Sequence, residues 1–207
     1  MTVEIGNGHE LGASESPLGQ RGLEVFVVGP TGGRAKLTPT VAGNSLKAEH
    51  TIKEPGTHVF AFVQDRGLNS RTPGGMKKGG KDQNPDALEV VKAYRSALAR
   101  AATKGAAPAA AKPVGLEFEM VPQRTAEGVT VTVLFAGKPR AGARINVLWP
   151  GKGEQKVGAT GAGGKFAYRI PAGAKGPFLL AADLSEKAAA GAGYDNATYA
   201  TAVYLTW

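Results

Sequence analysis

Glycine and proline interrupt this chain so often that mostly short strands and tight turns fit between them. Of its 207 residues, 30 are glycine and 13 are proline. Glycine supplies the positive-φ positions that turns need, and proline presets the backbone at turn entry. Between the breaks, apolar residues alternate. Val129, Val131, Val133 and Phe135 fall on one side and Thr130 and Thr132 on the other, the two-residue period of a strand with one buried face. Leu23-Glu24-Val25-Phe26-Val27-Val28 is a denser run closed by Gly29-Pro30, of the kind buried on both faces. Punctuation and period together imply an all-β chain.

The first unit spans residues 1–83. After Leu23–Val28, short strands are expected at Ala35–Val41, Ser45–Ile52 and Thr57–Val63, separated by Gly43-Asn44 and Glu54-Pro55-Gly56. In the last of them Val59, Ala61 and Val63 alternate with His58, Phe60 and Phe62. Both faces carry apolar groups, as in a strand central to a sandwich. Residues 65–83 lack periodicity and are read as a long basic loop carrying Arg66, Arg71, Lys77, Lys78 and Lys81; a binding role and plain solvation are both open for it.

Residues 84–113 are expected to connect two halves. Asn84 suits a helix N-cap, Pro85 the first helical position and Asp86 the positive end of the dipole. Leu88, Val91, Tyr94, Leu98 and Ala101 recur at helical spacing, with Glu89, Lys92, Arg95, Arg100 and Lys104 on the remaining surface. This pattern predicts one amphipathic helix lying on a sheet, closed by Gly105. Gly105 to Pro113 is alanine- and proline-rich and reads as an interdomain linker. Residues 114–207 form the second unit. Its strands are expected at Ala143–Trp149, Gln155–Thr160, Lys165–Ile170, Pro177–Ala182 and Thr198–Trp207, with Gly161-Ala162-Gly163-Gly164 as a hairpin turn and Ser185 to Asn196 as a loop or short helical turn.

Composition narrows the function classes. No cysteine is present, which removes disulfides, thiolate metal sites and cysteine nucleophiles. No apolar run approaches the roughly 20 residues of a membrane-spanning helix. A net charge of +8 and a pI near 9.7 would attract polyanions. The aromatics, however, do not interleave with Lys and Arg, so a solvated basic surface is preferred and no nucleic-acid partner is expected. No Gly-x-Ser-x-Gly elbow occurs. Gly6-Asn7-Gly8 and Gly161–Gly164 lack the Lys-Ser/Thr of a phosphate loop. Glu117 and Glu119 read as alternating surface charge. Trp149 and Trp207 admit a sugar-stacking platform or core packing, with packing preferred. The chain is therefore expected not to be an enzyme.

In the second unit, Gly137-Lys138-Pro139-Arg140-Ala141-Gly142-Ala143 leads on to Thr160-Gly161-Ala162-Gly163-Gly164-Lys165-Phe166, Pro171-Ala172-Gly173 and Phe178-Leu179-Leu180-Ala181-Ala182. That order resembles the transthyretin-like, or carboxypeptidase-regulatory-like, sandwich. Over nearly the full chain, the match is narrower. Ile5-Gly6-Asn7-Gly8-His9-Glu10, Ser14-Glu15-Ser16-Pro17-Leu18, Glu54-Pro55-Gly56-Thr57, the basic stretch after Asp65, Lys92-Ala93-Tyr94 and Tyr199-Ala200-Thr201 through Trp207 together resemble the periplasmic domain-of-unknown-function family 4198.

The resemblance implies two β-sandwich units of immunoglobulin or transthyretin-like Greek-key type, here joined by the expected helix. It also implies a periplasmic or secreted location, although no leader peptide is present in this sequence. By the same resemblance the function is non-enzymatic binding. The ligand is a metal ion or small molecule, with a divalent transition metal (nickel or cobalt) leading, and a membrane transporter or protein partner is the companion of an uptake accessory. The alternative is a structural or adhesion-type module recognising a polysaccharide or protein. Thr160-Gly161 stands where the sandwich pattern has Thr-Asp, which removes a carboxylate. Without thiolates, a metal needs imidazole and carboxylate. The candidate set is His9, Glu10, Glu15, His50 and His58. No compact His-x-x-x-His spacing supports it; taken singly, His58 reads as a packed strand histidine and His50 as solvent-facing beside Glu49.

Overall fold

A computed structural model describes residues 1–12, 14–104 and 111–207. In chain order its strands are β1 (Thr2–Ile5), β2 (Leu23–Val28), β3 (Arg34–Leu37), β4 (Thr40–Ala42), β5 (Ser45–Glu49), β6 (Thr57–Thr72), β7 (Gly75–Lys78) and β8 (Glu89–Ala102). There follow β9 (Phe118–Arg124), β10 (Gly128–Phe135), β11 (Lys138–Pro139), β12 (Arg144–Leu148), β13 (Glu154–Ala159), β14 (Lys165–Arg169), β15 (Pro177–Lys187) and β16 (Asn196–Thr206). The only helical element among the described residues is a 3-10 turn at Ala162–Gly164. The fold is all-β, and no helix of the described residues is long and apolar enough to cross a membrane.

A nine-stranded sheet forms the middle layer, in the order β13-β12-β15-β16-β8-β6-β2-β3, with β7 added beside β6. Strands from both halves of the chain meet in it at β16 and β8, which run parallel from Asn196 opposite Val91 to Tyr204 opposite Ala99. A four-stranded sheet of β9, β10, β11 and β14 covers one face. Its Met120, Val129, Val131 and Val133 pack with Leu98, Ile145, Phe178, Leu180 and Val203 of the middle layer. A three-stranded sheet, β1-β5-β4, covers the opposite face at the other end, where Ile5, Leu46 and Ala48 pack with Val25, Val27 and Phe60. Hence β2 and β6 are apolar on both faces. Phe26, Val59 and Ala61 serve the larger core, while Val25, Val27 and Phe60 serve the smaller.

The expected helix over residues 84–105 is not formed: Glu89–Ala102 is β8, paired with β6 on one side and β16 on the other. The segment satisfies two periods at once. Tyr94, Ser96 and Leu98 line up on the face of the large core, and Ala93, Arg95, Ala97, Ala99 and Ala101 on the other. The alanines that favour a helix in isolation here sit opposite bulky partners, Ala97 against Phe62 and Ala99 against Phe60. Tertiary packing overrides the intrinsic preference. Asn84 is a buried turn residue whose Nδ2 donates to the Lys78 carbonyl at 2.8 Å, and Leu88 is 61% exposed. Gly105, the expected helix stop, and residues 106–110 of the expected linker lie outside the described residues.

The expected loop over 65–83 is largely a hairpin. β6 runs on to Thr72 through a register shift between Asp65 and Leu68, and β7 returns with Thr72 opposite Gly75. Pro73-Gly74 is the turn, and the Thr72 hydroxyl donates to the Gly75 carbonyl at 2.9 Å. Nor do the segments around Gly161–Gly164 pair with each other. β13 joins β12 in the middle layer and β14 joins β10 in the cover sheet. The glycines carry the chain between layers: at Gly164 (φ 70°) a Cβ would lie 2.6 Å from the Arg140 nitrogen and 2.7 Å from the Val133 carbonyl oxygen. β15 also continues to Lys187, through part of the stretch expected as a loop.

Candidate functional site: a strapped cleft

The three-stranded sheet covers only part of its face of the middle layer. The remainder of that face, formed by β8, β16, β15 and β12, is open and floors a cleft of about 1390 Å³. Strand pairing dictates what the floor presents. One row reads Arg144, Asp183, Ala200, Arg95; the next Asn146, Ala181, Ala202, Ala97; the next Leu148, Leu179, Tyr204, Ala99. The alternate residues of the same strands face the large core. Alanine dominates the middle of the floor, so the cleft is deep where larger side chains would fill it.

The segment after β1 crosses this floor as a strap held at two points. The Arg95 Nη1 donates to the Asn7 Oδ1 at 2.6 Å. Further on, His9 Nδ1 lies 3.0 Å from the Glu154 Oε2 of β13, at the far edge of the sheet. The strap also binds its own return: the His9 amide donates to Glu15 Oε1 at 2.7 Å, and the Asn7 amide to the Ser14 hydroxyl at 3.0 Å. The contact with Glu154, and then the charge of Glu15, raise the His9 imidazole above its ordinary value. Glu154 is itself oriented by Asn146, whose Nδ2 donates to Oε1 at 2.7 Å.

The five expected ligands divide into two groups. His9 and Glu15 belong to the strap, beside an exposed Glu10. His50 and His58 meet elsewhere, at the end of β5 and the start of β6, with ring centroids 5.7 Å apart. His58 is 3% exposed. Its Nε2 lies 3.0 Å from the Glu54 carbonyl, and its Nδ1 is buried with no partner among the described residues. Burial, then the neighbouring His58, lowers the His50 imidazole. Among the described residues, no group of three or more His, Cys, Asp or Glu side chains is disposed to hold a metal ion.

Arg95, Glu154 and Asp183 are cleft residues that sequence reasoning missed. On a helix Arg95 belongs to a solvated face; on a strand it shares the cleft face with Ala97. Burial, and next the charge of Arg66, push its guanidinium down to about 10, so it remains a cation at neutral pH. Glu119 is not the surface charge that its alternation with Glu117 implies. It is 1% exposed, and its carboxylate accepts the amides of Val114, Gly115 and Leu116 at 2.6–3.2 Å. Trp149 stacks on Phe178 with centroids 4.6 Å apart and donates from Nε1 to the Tyr168 hydroxyl at 3.0 Å, which makes it a core residue.

A family model described as "Domain of unknown function (DUF4198)" matches residues 1–186. Neither the comparison with curated proteins nor that with solved structures returned a match.

Proposed function

This chain belongs to the DUF4198 family, and from that premise we propose that it is a non-catalytic binding protein that takes its ligand in the strapped cleft. The cleft itself carries the reading: a concave space of about 1390 Å³, floored by small apolar side chains with a few polar groups at its margins, is the form that ligand sites take. The proposed compartment is the periplasm or the exterior, supported by the family resemblance, as is the kinship of the second half to transthyretin-like sandwiches. The Ala202→Trp variant tests the reading, because it fills the floor. A panel of divalent metals and small organic ions should raise the melting temperature of the wild-type chain and leave the variant unmoved. A panel that shifts neither protein argues against the cleft as a binding site.

A transition-metal ligand, nickel or cobalt, is the second reading. It is supported by His9, Glu15 and Glu154 sharing one hydrogen-bond network. These donors do not surround one centre, so binding would require the strap to re-form around the ion. Calorimetric titration with nickel, cobalt, zinc and copper decides it. Heat that vanishes in His9→Ala supports a metal at the strap, and no heat with any of the four removes the reading.

A further inference from the structure

Arg95 is an unusual residue to find on the floor of an apolar cleft. A guanidinium carries five N–H donors, and the hydrogen bond made by Arg95 among the described residues is the single one to Asn7. The ion pairs of the described residues engage Arg34, Arg71, Arg140, Arg144 and Arg169, and none includes Arg95 or Arg66. Arg66 lines the same cleft; burial weakens the hold of Arg95 on its proton, and the charge of Arg66 weakens it further. Lys78 feels both arginines as well, after its own burial. A half-buried cation beside a like charge, with no carboxylate partner among the described residues, is a costly arrangement in the free protein. An oxyanion arriving between the two guanidinium groups would relieve it, and the planar fork of arginine matches a carboxylate with paired hydrogen bonds.

The rest of the cleft limits what the anion can be. Ala200 and Ala97 flank Arg95, and Ala202, Ala181, Leu179 and Tyr204 extend the floor away from it. Asp183 stands two strands from Arg95 in the same row, about 10 Å away by strand spacing, and Glu154 lies beyond it. Each of these carboxylates is already paired, Asp183 with Arg144 and Glu154 with His9, so neither cation is free to hold a second charge on the ligand. We propose that Arg95, backed by Arg66, anchors the carboxylate of a small organic monoacid whose apolar body lies along the alanine floor. The proposal rests on the cleft being the ligand site and adds the chemistry of the ligand.

The test uses the full chain at low ionic strength, with hexanoate as probe, hexanamide as the uncharged probe of the same shape, and inorganic phosphate as an anion without an apolar body. Hexanoate should bind, and replacing the acid by the amide, or Arg95 by Met, should weaken binding roughly tenfold or more, the value of charge-assisted hydrogen bonds. Arg66→Ala, a change at an exposed side chain, gives a second variant, in which hexanoate binding should also weaken. Melting temperatures of the free variants report folding. Equal affinity for acid and amide, unchanged affinity in both arginine variants, or binding of phosphate without hexanoate would each overturn the anchor. If acid and amide bind equally and Ala202→Trp abolishes both, the cleft reading stands and the carboxylate anchor falls. If no probe or metal binds, both fall.

Discussion

His9 shows how a residue's role follows from one contact. Its side chain is 78% exposed, yet its approach to Glu154 holds the strap to the far edge of the sheet. Because the folded-state value is raised above 6.5, protonated His9 favours the pinned strap. That contribution is fully present below pH 6.5 and is lost as pH rises through the higher folded value. The exposure of the pair keeps the effect local. An NMR titration should therefore place the His9 midpoint above 6.5 in the wild-type chain and return it toward the ordinary value in Glu154→Gln. Amide exchange across Gly6–Leu11, corrected for its intrinsic pH dependence, should accelerate once His9 loses its proton. A midpoint unmoved by Glu154→Gln would show that the strap is not held there. His9 was recognisable from the sequence as a polar group worth following. Its partner was not, since 145 residues separate them.

At the scale of elements, β8 decides the architecture. Its sequence is read equally well with a period of 3.6 or of 2, because alanine fits either; only its neighbours resolve the ambiguity. Phe60 and Phe62 of β6 lie opposite alanines, and on the other face Leu98 enters the large core. Leu98 is 2% exposed, and Leu98→Ala should cost about 2–4 kcal/mol, as truncation of a packed leucine does. A denaturant midpoint that barely moves would contradict the place of Leu98 in the large core. The neighbouring hairpin carries a legible signal of its own. Pro73-Gly74 between two polar runs is a turn signal, but the basic residues around it masked a two-residue alternation with few apolar groups to reveal it.

For the whole molecule, the parallel pairing of β16 with β8 matters most. It links strands from the two halves of the chain within one sheet, and the second half cannot bury its apolar face without Leu98 and Tyr94 from the first. Unfolding should therefore be a single cooperative transition, with equal calorimetric and van't Hoff enthalpies. Two separated transitions in a calorimetric scan would mean that the halves are thermodynamically independent. The cleft arises at the same scale. One cover sheet spans the face of β12, β15, β16 and β8, while the other stops short on the opposite face, so the opening is created by the offset between them.

The sequence alone determined the all-β class, the places of most strands and the buried face of those with a clear alternation, such as Gly128–Phe135, because alternation and turn chemistry are local and are written within a few residues. It did not determine the conformation of Glu89–Ala102, the partners of the strands beside Gly161–Gly164, or the meeting of Arg95, Asn7, His9 and Glu154 around one cleft. Those depend on which strands lie side by side, and pairing energies act between residues far apart in the chain. A segment with two permissible periods is settled only by the surfaces that close around it.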